Sequence, residues 1–175
     1  MTIIESRVES EIDTLTSQLQ QLIRVPSVSA KKQLTITKCA ELVSEIMSKA
    51  GIKSELLKLD YNSEEIAPVV YGEVKSKNNP DGKTILFYNH YDVQPPEPIE
   101  LWEDDPFSGK IDGNLIFGRG ASDDKGELIT RIKAVQYFLD ETGDVPCNVK
   151  FIIEGEEEVG SSHLEKYLIK YKQKF

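Results

Sequence analysis

The chain has 175 residues, of which 39% are hydrophobic and 29% are charged, a balance that is ordinary for a soluble globular domain and excludes a disordered tail. It carries 30 acidic and 21 basic residues, and the formal net charge of −9 disfavours a nucleic-acid-binding role because no basic run could neutralise phosphates. No stretch is long and apolar enough to cross a bilayer, and the N-terminus lacks a leader pattern, so we predict a cytoplasmic protein with no membrane partner.

Two amphipathic helices are predicted in the first part of the chain. Apolar residues recur at spacings of three and four through residues 4–24, and Pro26 ends this pattern. The same periodicity returns over residues 36–47 and closes at Gly51, a residue type that suits a helix C-terminus. We predict that both helices are structural.

Strands follow where the hydrophobic period changes. Residues 52–59 and 69–74 alternate in the manner of strands. Residues 84–88 are nearly continuously apolar, which predicts a central strand covered on both faces. A hairpin-like pair is indicated around residues 112–114, and another strand over residues 148–153.

A strong helical pattern begins after Gly126, and a short last helix is predicted over residues 161–174. The alternation of helices and strands predicts an α/β fold with a mixed, largely parallel sheet sandwiched between helices. In such sheets ligands bind at strand ends. The stripe that anchors the helix after Gly126 to the core comprises Leu128, Ile132, Val135 and Leu139.

Acidic or imidazole side chains follow three of these strands. They lie in residues 89–92, in residues 118–126 and in residues 154–160. Taken alone, Asp123 or Asp124 would be interpreted as a helix cap, since aspartate is favoured at helix N-termini. The repetition of the same setting at three strand ends favours a shared site instead.

His90 and Asp92 lie two apart on an extended segment, so their side chains leave the same face. If His90 binds a metal through one ring nitrogen, Asp92 is close enough to be the partner of the other nitrogen. The second histidine, His163, is predicted to lie at the surface.

A cation is required if these acids converge. Two like charges in one cleft repel by about 4 kcal/mol at an effective dielectric of ~20. Lys125 and Arg119 could compensate in part, but divalent ions bound by oxygen and imidazole ligands do so better. The ligand types favour zinc first, with manganese or cobalt as alternatives, and they disfavour calcium because no Asp-x-Asp-x-Asp-Gly loop is present.

The adjacent glutamates cannot all face one centre. Glu154 and Glu156 are predicted to lie in a solvated turn or to bond to backbone. For Glu157 and Glu158 we favour a division of labour, in which one binds metal and its neighbour accepts a proton from water.

Taken in order, these motifs resemble the carnosinase-like branch of the di-zinc aminoacylase and carboxypeptidase superfamily, whose members are metallopeptidases, dipeptidases and amide deacylases. The resemblance implies a zinc-dependent exopeptidase-like fold and the hydrolysis of dipeptides or small peptides by a water activated between two divalent metal ions. The residues that carry it are 89–95, Trp102, 106–107, 118–126 and 154–161.

The resemblance also implies a role for each site residue. His90 would bind one metal, Asp123 would bridge both, and Glu158 would bind the other. Asp92 would orient His90, and Glu157 would be the general base. These five residues are our candidate site.

Two further expectations follow from the resemblance. The Asp123–Asp124 peptide bond should be cis. The pairs Gln94-Pro95 and Asp124-Lys125 favour the dipeptidase branch over an N-acyl amino acid deacylase of the deacetylase or desuccinylase type, which stays an alternative. A third hypothesis is a relative of the same fold that serves binding or assembly without catalysis. We disfavour it because a site that has lost its activity has no physical reason to keep several acidic residues close together.

Relatives of this kind carry a further aspartate ligand, an inserted lid or dimerisation domain and a histidine ligand near the C-terminus. We therefore expect residues 1–175 to be the N-terminal portion of the metallopeptidase catalytic domain, with a sheet that is incomplete at its C-terminal side. The expected partner is a small peptide substrate, the parent enzyme could be a homodimer, and the chain alone should be inactive.

Overall fold

The computed structural model describes residues 3–31, 34–59 and 66–175. Within these residues, no helix is long and apolar enough to span a membrane. Three short 3-10 turns lie at Ser29–Lys31, Ile99–Leu101 and Glu157–Val159. The α-helices are α1 (Ile3–Ile23), α2 (Leu34–Lys49), α3 (Lys125–Thr142) and α4 (Leu164–Lys170).

The main sheet has four strands in the order β1-β2-β6-β3, and a separate hairpin is formed by β4 and β5. The β1–β2 and β2–β6 pairs are antiparallel, whereas β3 and β6 are parallel. The strands are β1 (Lys53–Leu57), β2 (Val69–Val74), β3 (Thr84–His90), β4 (Lys110–Asp112), β5 (Leu115–Phe117) and β6 (Asn148–Glu154).

The mixed α/β sheet is confirmed, but its pairing is mostly antiparallel, so the expectation of a largely parallel sheet is wrong in this respect. β1 and β2 lie close in sequence and pair antiparallel, which needs no helical crossover. β3 and β6 are separated by α3, and this crossover allows their parallel pairing. The local alternation predicted the strands without indicating their directions.

β3 is an edge strand rather than the predicted central one. Phe87 packs on Phe151 with ring centroids 5.2 Å apart, but Leu86 and Tyr88 on the other face are 51% and 45% exposed. A run of apolar residues indicates that a segment tends to be buried. It does not indicate how many strands lie beside it in the sheet. The prediction therefore failed on position and not on element type.

Helices cover both faces of the sheet, as predicted. On one face α1, α2 and α3 enclose a large core with β2 and β6, and Leu128, Ile132 and Val135 of the predicted stripe are buried in it. On the other face Tyr167 of α4 packs in a smaller cluster with Tyr71. α4 is shorter than predicted at both ends, because Ser161, with φ 52°, belongs to the preceding loop and residues 171–174 form a turn after the helix.

The parallel pairing of β3 and β6 brings the ends of the two strands together at the candidate site. Their register sets His90 opposite Glu154, so both strands end at the same edge of the sheet. The loop before α3 is tied to the end of α1 by Lys125, whose buried Nζ donates to Leu22 O and Val25 O at 2.8 Å each. Three strand-end or helix-start segments consequently meet at one edge.

Candidate metal centre

The segment that follows β3 is held rigidly by buried contacts. Tyr91, Asp92 and Val93 are fully buried. Tyr91 N donates to Glu154 O at 2.9 Å, and Val93 N donates to Ser27 O at the same distance. Ser27 Oγ in turn donates to Tyr91 O at 2.6 Å. The backbone on which His90 and Asp92 stand is therefore fixed.

His90 has a partner at each ring nitrogen. Nδ1 lies 3.1 Å from Asp92 O and 3.4 Å from Asp92 Oδ1. Nε2 lies 2.9 Å from Asp123 Oδ1 and 3.7 Å from Glu157 Oε2. Burial lowers the pKa of His90, but the hydrogen bond and charge of Asp92, with the nearby Asp124 and Asp123, outweigh it and raise the pKa to about 9.

Asp92 contacts His90 through its backbone carbonyl more closely than through its carboxylate. The carboxylate has another set of partners: Oδ1 accepts Glu157 N at 3.2 Å, and Oδ2 accepts Glu158 N at 3.1 Å. Asp92 therefore links the imidazole to the turn that carries both glutamates. This second contact was not predicted from the sequence, because it depends on the approach of β6 to β3.

The loop before α3 places Asp123 beside the imidazole. The Asp123–Asp124 peptide bond is cis, as expected from the resemblance. Asp124 Oδ2 accepts Asn89 Nδ2 at 2.7 Å and His90 N at 3.1 Å, and the Asp124 side chain makes no capping bond to α3. The interpretation of Asp124 as a simple helix cap is therefore wrong. The Asp123 side chain is 78% exposed.

Three of the predicted residues converge. Ligand atoms of His90, Asp123 and Glu158 all lie within 4.8 Å of one another. Glu157 lies at the border of this group, through its contact with His90 Nε2. One imidazole nitrogen with several carboxylate oxygens is a donor set that suits zinc and is also compatible with manganese or cobalt.

The basic residues that could have compensated these acids are engaged elsewhere. Lys125 points to the end of α1, and burial lowers its pKa. The Arg119 guanidinium lies 5.6 Å from the Trp102 ring and donates to Pro95 O at 3.3 Å. Across residues 3–31, 34–59 and 66–175, the salt bridges of Asp92, Asp123 and Glu157 are formed by His90 alone.

Glu154 does not lie in a solvated turn. It is 2% exposed, and its Oε1 accepts hydrogen bonds from Tyr88 Oη and, at 2.8 Å, from Ser161 Oγ. Burial raises the pKa of Glu154. The bond to Ser161 closes the loop on which Glu157 and Glu158 stand.

Glu156 follows the prediction more closely, since its carboxylate accepts Ala67 N at 3.4 Å. The same carboxylate lies 2.8 Å from His163 Nδ1, so His163 is a structural partner of this loop rather than a simple surface residue. Gly155 is required here because a Cβ at this position would lie 2.3 Å from the Tyr91 ring. Sequence reasoning missed these contacts because Ala67 and Tyr91 are distant in the chain, and because His163 meets Glu156 across an irregular loop whose course no spacing rule predicts.

The fold and this centre together define a class of α/β protein in which sheet-edge carboxylates and an imidazole are arranged to bind divalent metal. The sequence model of Peptidase family M20/M25/M40 matches residues 86–175, and the chain belongs to this family. The match covers the ends of β3 and β6 and the loop before α3, which are the segments that form the centre.

Individual relatives agree with this assignment. The chain is 36% identical over 166 residues to the Cys-Gly metallodipeptidase dug1 of Schizosaccharomyces pombe, covering 90% of this chain and 34% of that protein. It is 44% identical over 117 residues to the human Beta-Ala-His dipeptidase, covering 66% and 22%. The crystal structure of human carnosine dipeptidase 1 superposes with a TM-score of 0.87 at 29% identity, covering 97% of this chain and 38% of that one. The matched segments thus span between 22% and 38% of the length of these relatives.

Proposed function

We propose that this chain supplies half of a metal-dependent peptidase site, which hydrolyses the peptide bond of dipeptides or small peptides. The observation that carries the proposal is the convergence of His90, Asp123 and Glu158 within 4.8 Å, with no lysine or arginine neutralising them in the described parts of the chain. The names of the relatives supply the substrate class, because those proteins are dipeptidases.

His90 and Glu158 would each hold one divalent ion, and Asp123, whose carboxylate is the most exposed of the three, would lie between both. Zinc is our first choice for these ions. When bound, two such ions polarise the scissile carbonyl and lower the pKa of a water molecule. Asp92 would keep the imidazole of His90 oriented.

Glu157 would accept the proton of the attacking water. Its Oε2 lies 3.7 Å from His90 Nε2, at the border of the ligand group. A carboxylate in this position can reach a water held between the ligands without itself binding an ion. This assigns the two halves of the Glu157–Glu158 pair to different tasks.

Three candidate ligands are few for two ions, since catalytic zinc sites commonly have three protein ligands per ion. We therefore propose that residues 1–175 form the N-terminal portion of a catalytic domain, and that the other ligands and a lid come from a longer protein. The 175-residue chain alone should bind metal weakly and turn over dipeptides slowly or not at all.

Metal titration of the 175-residue chain tests the first part of the proposal. Isothermal titration calorimetry with Zn²⁺, Mn²⁺ and Co²⁺ should show saturable binding with a stoichiometry of one to two ions. Binding that is absent for all three ions would contradict the proposed centre. Equal binding to a variant that lacks Asp123 and Glu158 would place the ions elsewhere.

The Glu157→Gln substitution tests the division of labour, in a longer protein that contains these residues. Turnover should fall by about 10²- to 10⁴-fold, because a general base is lost, while the bound metal is unchanged. Metal content and hydrolysis of dipeptides, N-acetyl and N-succinyl amino acids should be measured together. Loss of metal would mean that the two glutamates have exchanged roles, and preference for the N-acyl substrates would favour the deacylase alternative.

A further inference from the structure

Gln94 directs three hydrogen bonds at a single residue, Glu158. Its backbone N–H donates to Glu158 Oε1 at 3.2 Å. Its side-chain Nε2 donates to Glu158 Oε2 at 2.8 Å and to Glu158 O at 3.0 Å. We infer that Gln94 is a positioning residue that fixes the Glu158 carboxylate in the orientation of a metal ligand, an inference that rests on the proposed function.

The backbone of Gln94 is well placed for this role because it is anchored on both sides. The preceding residue, Val93, is fully buried, bonds to Ser27 O and forms a bridge with Val28. The following residue, Pro95, accepts a hydrogen bond from Arg119 Nη2 at 3.3 Å. The amide of Gln94 therefore extends from a backbone that has little freedom to move.

Glu158 needs such a partner because only its backbone is otherwise fixed. Asp92 Oδ2 accepts Glu158 N at 3.1 Å, which holds the turn but leaves the side chain free to choose among rotamers. Gln94 donates to both carboxylate oxygens and so restricts this freedom. The carboxylate still has lone pairs on each oxygen with which to bind a cation.

A neutral amide suits this position better than a basic side chain. Lysine or arginine would orient the carboxylate equally well but would also neutralise it, and would compete with the cation for its charge. The Gln94 amide supplies donors without a net charge. The negative potential of the centre is thereby kept for the ion.

The substitution Gln94→Leu tests the inference, because it removes the side-chain donors at similar volume. Loss of an outer partner of a metal ligand commonly weakens metal binding by 10- to 100-fold. Since the Gln94 side chain is exposed and its backbone N–H is retained, we expect about a 10-fold loss in Zn²⁺ affinity by calorimetry. The visible absorption spectrum of bound Co²⁺ should also change, because it reports ligand geometry.

Gln21→Leu is the matched control, since Gln21 is an exposed residue of α1 and takes no part in the hydrogen bonds between Gln94 and Glu158. This variant should keep the wild-type affinity and Co²⁺ spectrum. Both variants should unfold at the wild-type midpoint without metal, which separates positioning from folding. Wild-type affinity and spectrum in Gln94→Leu would overturn the inference alone, whereas absence of metal binding in the wild type would overturn the proposed function and this inference with it.

Discussion

Two regions of the molecule hold carboxylates in opposite ways. Asp144, after α3, is 6% exposed and accepts hydrogen bonds from Lys77 N at 2.8 Å, Asn78 N at 2.9 Å and Ser76 Oγ at 3.2 Å. The bond from Lys77 N, followed by that from Asn78 N, holds the pKa of Asp144 at about 2. The candidate metal centre instead gathers several carboxylates around the single imidazole of His90.

The number of donors around each carboxylate distinguishes an acid with a structural role from one that could bind a cation. At Asp144 the protein itself supplies donors to both carboxylate oxygens, so nothing more is needed. At the centre, repulsion between neighbouring carboxylates is about 4 kcal/mol per close pair at an effective dielectric of ~20, and one imidazole cannot offset it for all of them. A site with this imbalance gains stability from a bound cation.

The largest expected effect comes from removing the imidazole. His90→Ala should lower the Zn²⁺ affinity by more than about 100-fold, because loss of a direct ligand exceeds the 10- to 100-fold cost of losing an outer partner. Calorimetric titration measures this directly. Asp144→Asn is the control and should bind Zn²⁺ as the wild type does. Comparable losses in both variants would mean that metal binding follows overall stability and not the centre.

The same two substitutions should affect stability in the opposite order, with the larger loss in Asp144→Asn. Asp144→Asn should lower the thermal unfolding midpoint at neutral pH by about 5 °C, because a charged acceptor of several hydrogen bonds is lost. Since the folded pKa of about 2 lies below the ordinary value of 3.8, this stabilisation is present above pH 4 and is lost as the pH falls through 2.

Unfolding followed by circular dichroism at pH 7, 4 and 2 checks this pH dependence. The gap between the wild type and Asp144→Asn should be widest at pH 7 and should narrow towards pH 2. A gap that is independent of pH would show that the carboxylate charge contributes nothing at this position.

Much of the fold was predictable because it depends on local periodicity. The apolar stripe of α3 and the strand character of β2 and β6 follow from side-chain spacing alone. The edge position of β3 and the antiparallel pairing of β2 with β6 did not follow, because they depend on which distant strands meet. Local pattern thus predicted the elements better than their arrangement.

The candidate site shows the same division. The positions of His90, Asp123 and Glu158 after successive elements predicted that they would meet, and their ligand atoms do converge. Asp92 was predicted as the partner of His90 and does contact it. The other supporting contacts were not predicted, because Gln94 gave no signal of a contact with Glu158, and Glu154 was expected to lie in a solvated turn or to bond to backbone. Gln94 and Glu158 are 64 residues apart, and Glu154 meets Ser161 only because the irregular loop between them folds back, so no spacing rule in a single sequence reveals either contact.

Glu154 is intermediate between Asp144 and the carboxylates of the candidate centre, and the substitution of its partner Tyr88 should have the smallest effect of those considered. This buried carboxylate accepts from Tyr88 Oη and Ser161 Oγ, and its raised pKa shows that these donors do not fully offset its burial. Tyr88→Phe removes one donor and should lower the free energy of unfolding by about 1 kcal/mol. Denaturant titration of the metal-free protein measures the change.

The matched control is Tyr171→Phe, which removes a hydroxyl that donates to Lys58 O at 2.8 Å and accepts from Lys58 N at 3.4 Å, an exposed contact that involves no residue of the candidate centre. Both variants should lose stability to a similar extent, but only Tyr88→Phe should also weaken Zn²⁺ binding, by a factor of a few. Tyr88→Phe can change the Zn²⁺ affinity only indirectly, because Tyr88 contacts Glu154, which holds Ser161 and the turn that carries Glu158. The loss of affinity should therefore be smaller than in His90→Ala. Identical Zn²⁺ affinities in the two variants would show that Ser161 alone holds the Glu154 carboxylate, and that Glu154 belongs with Asp144 among the structural acids.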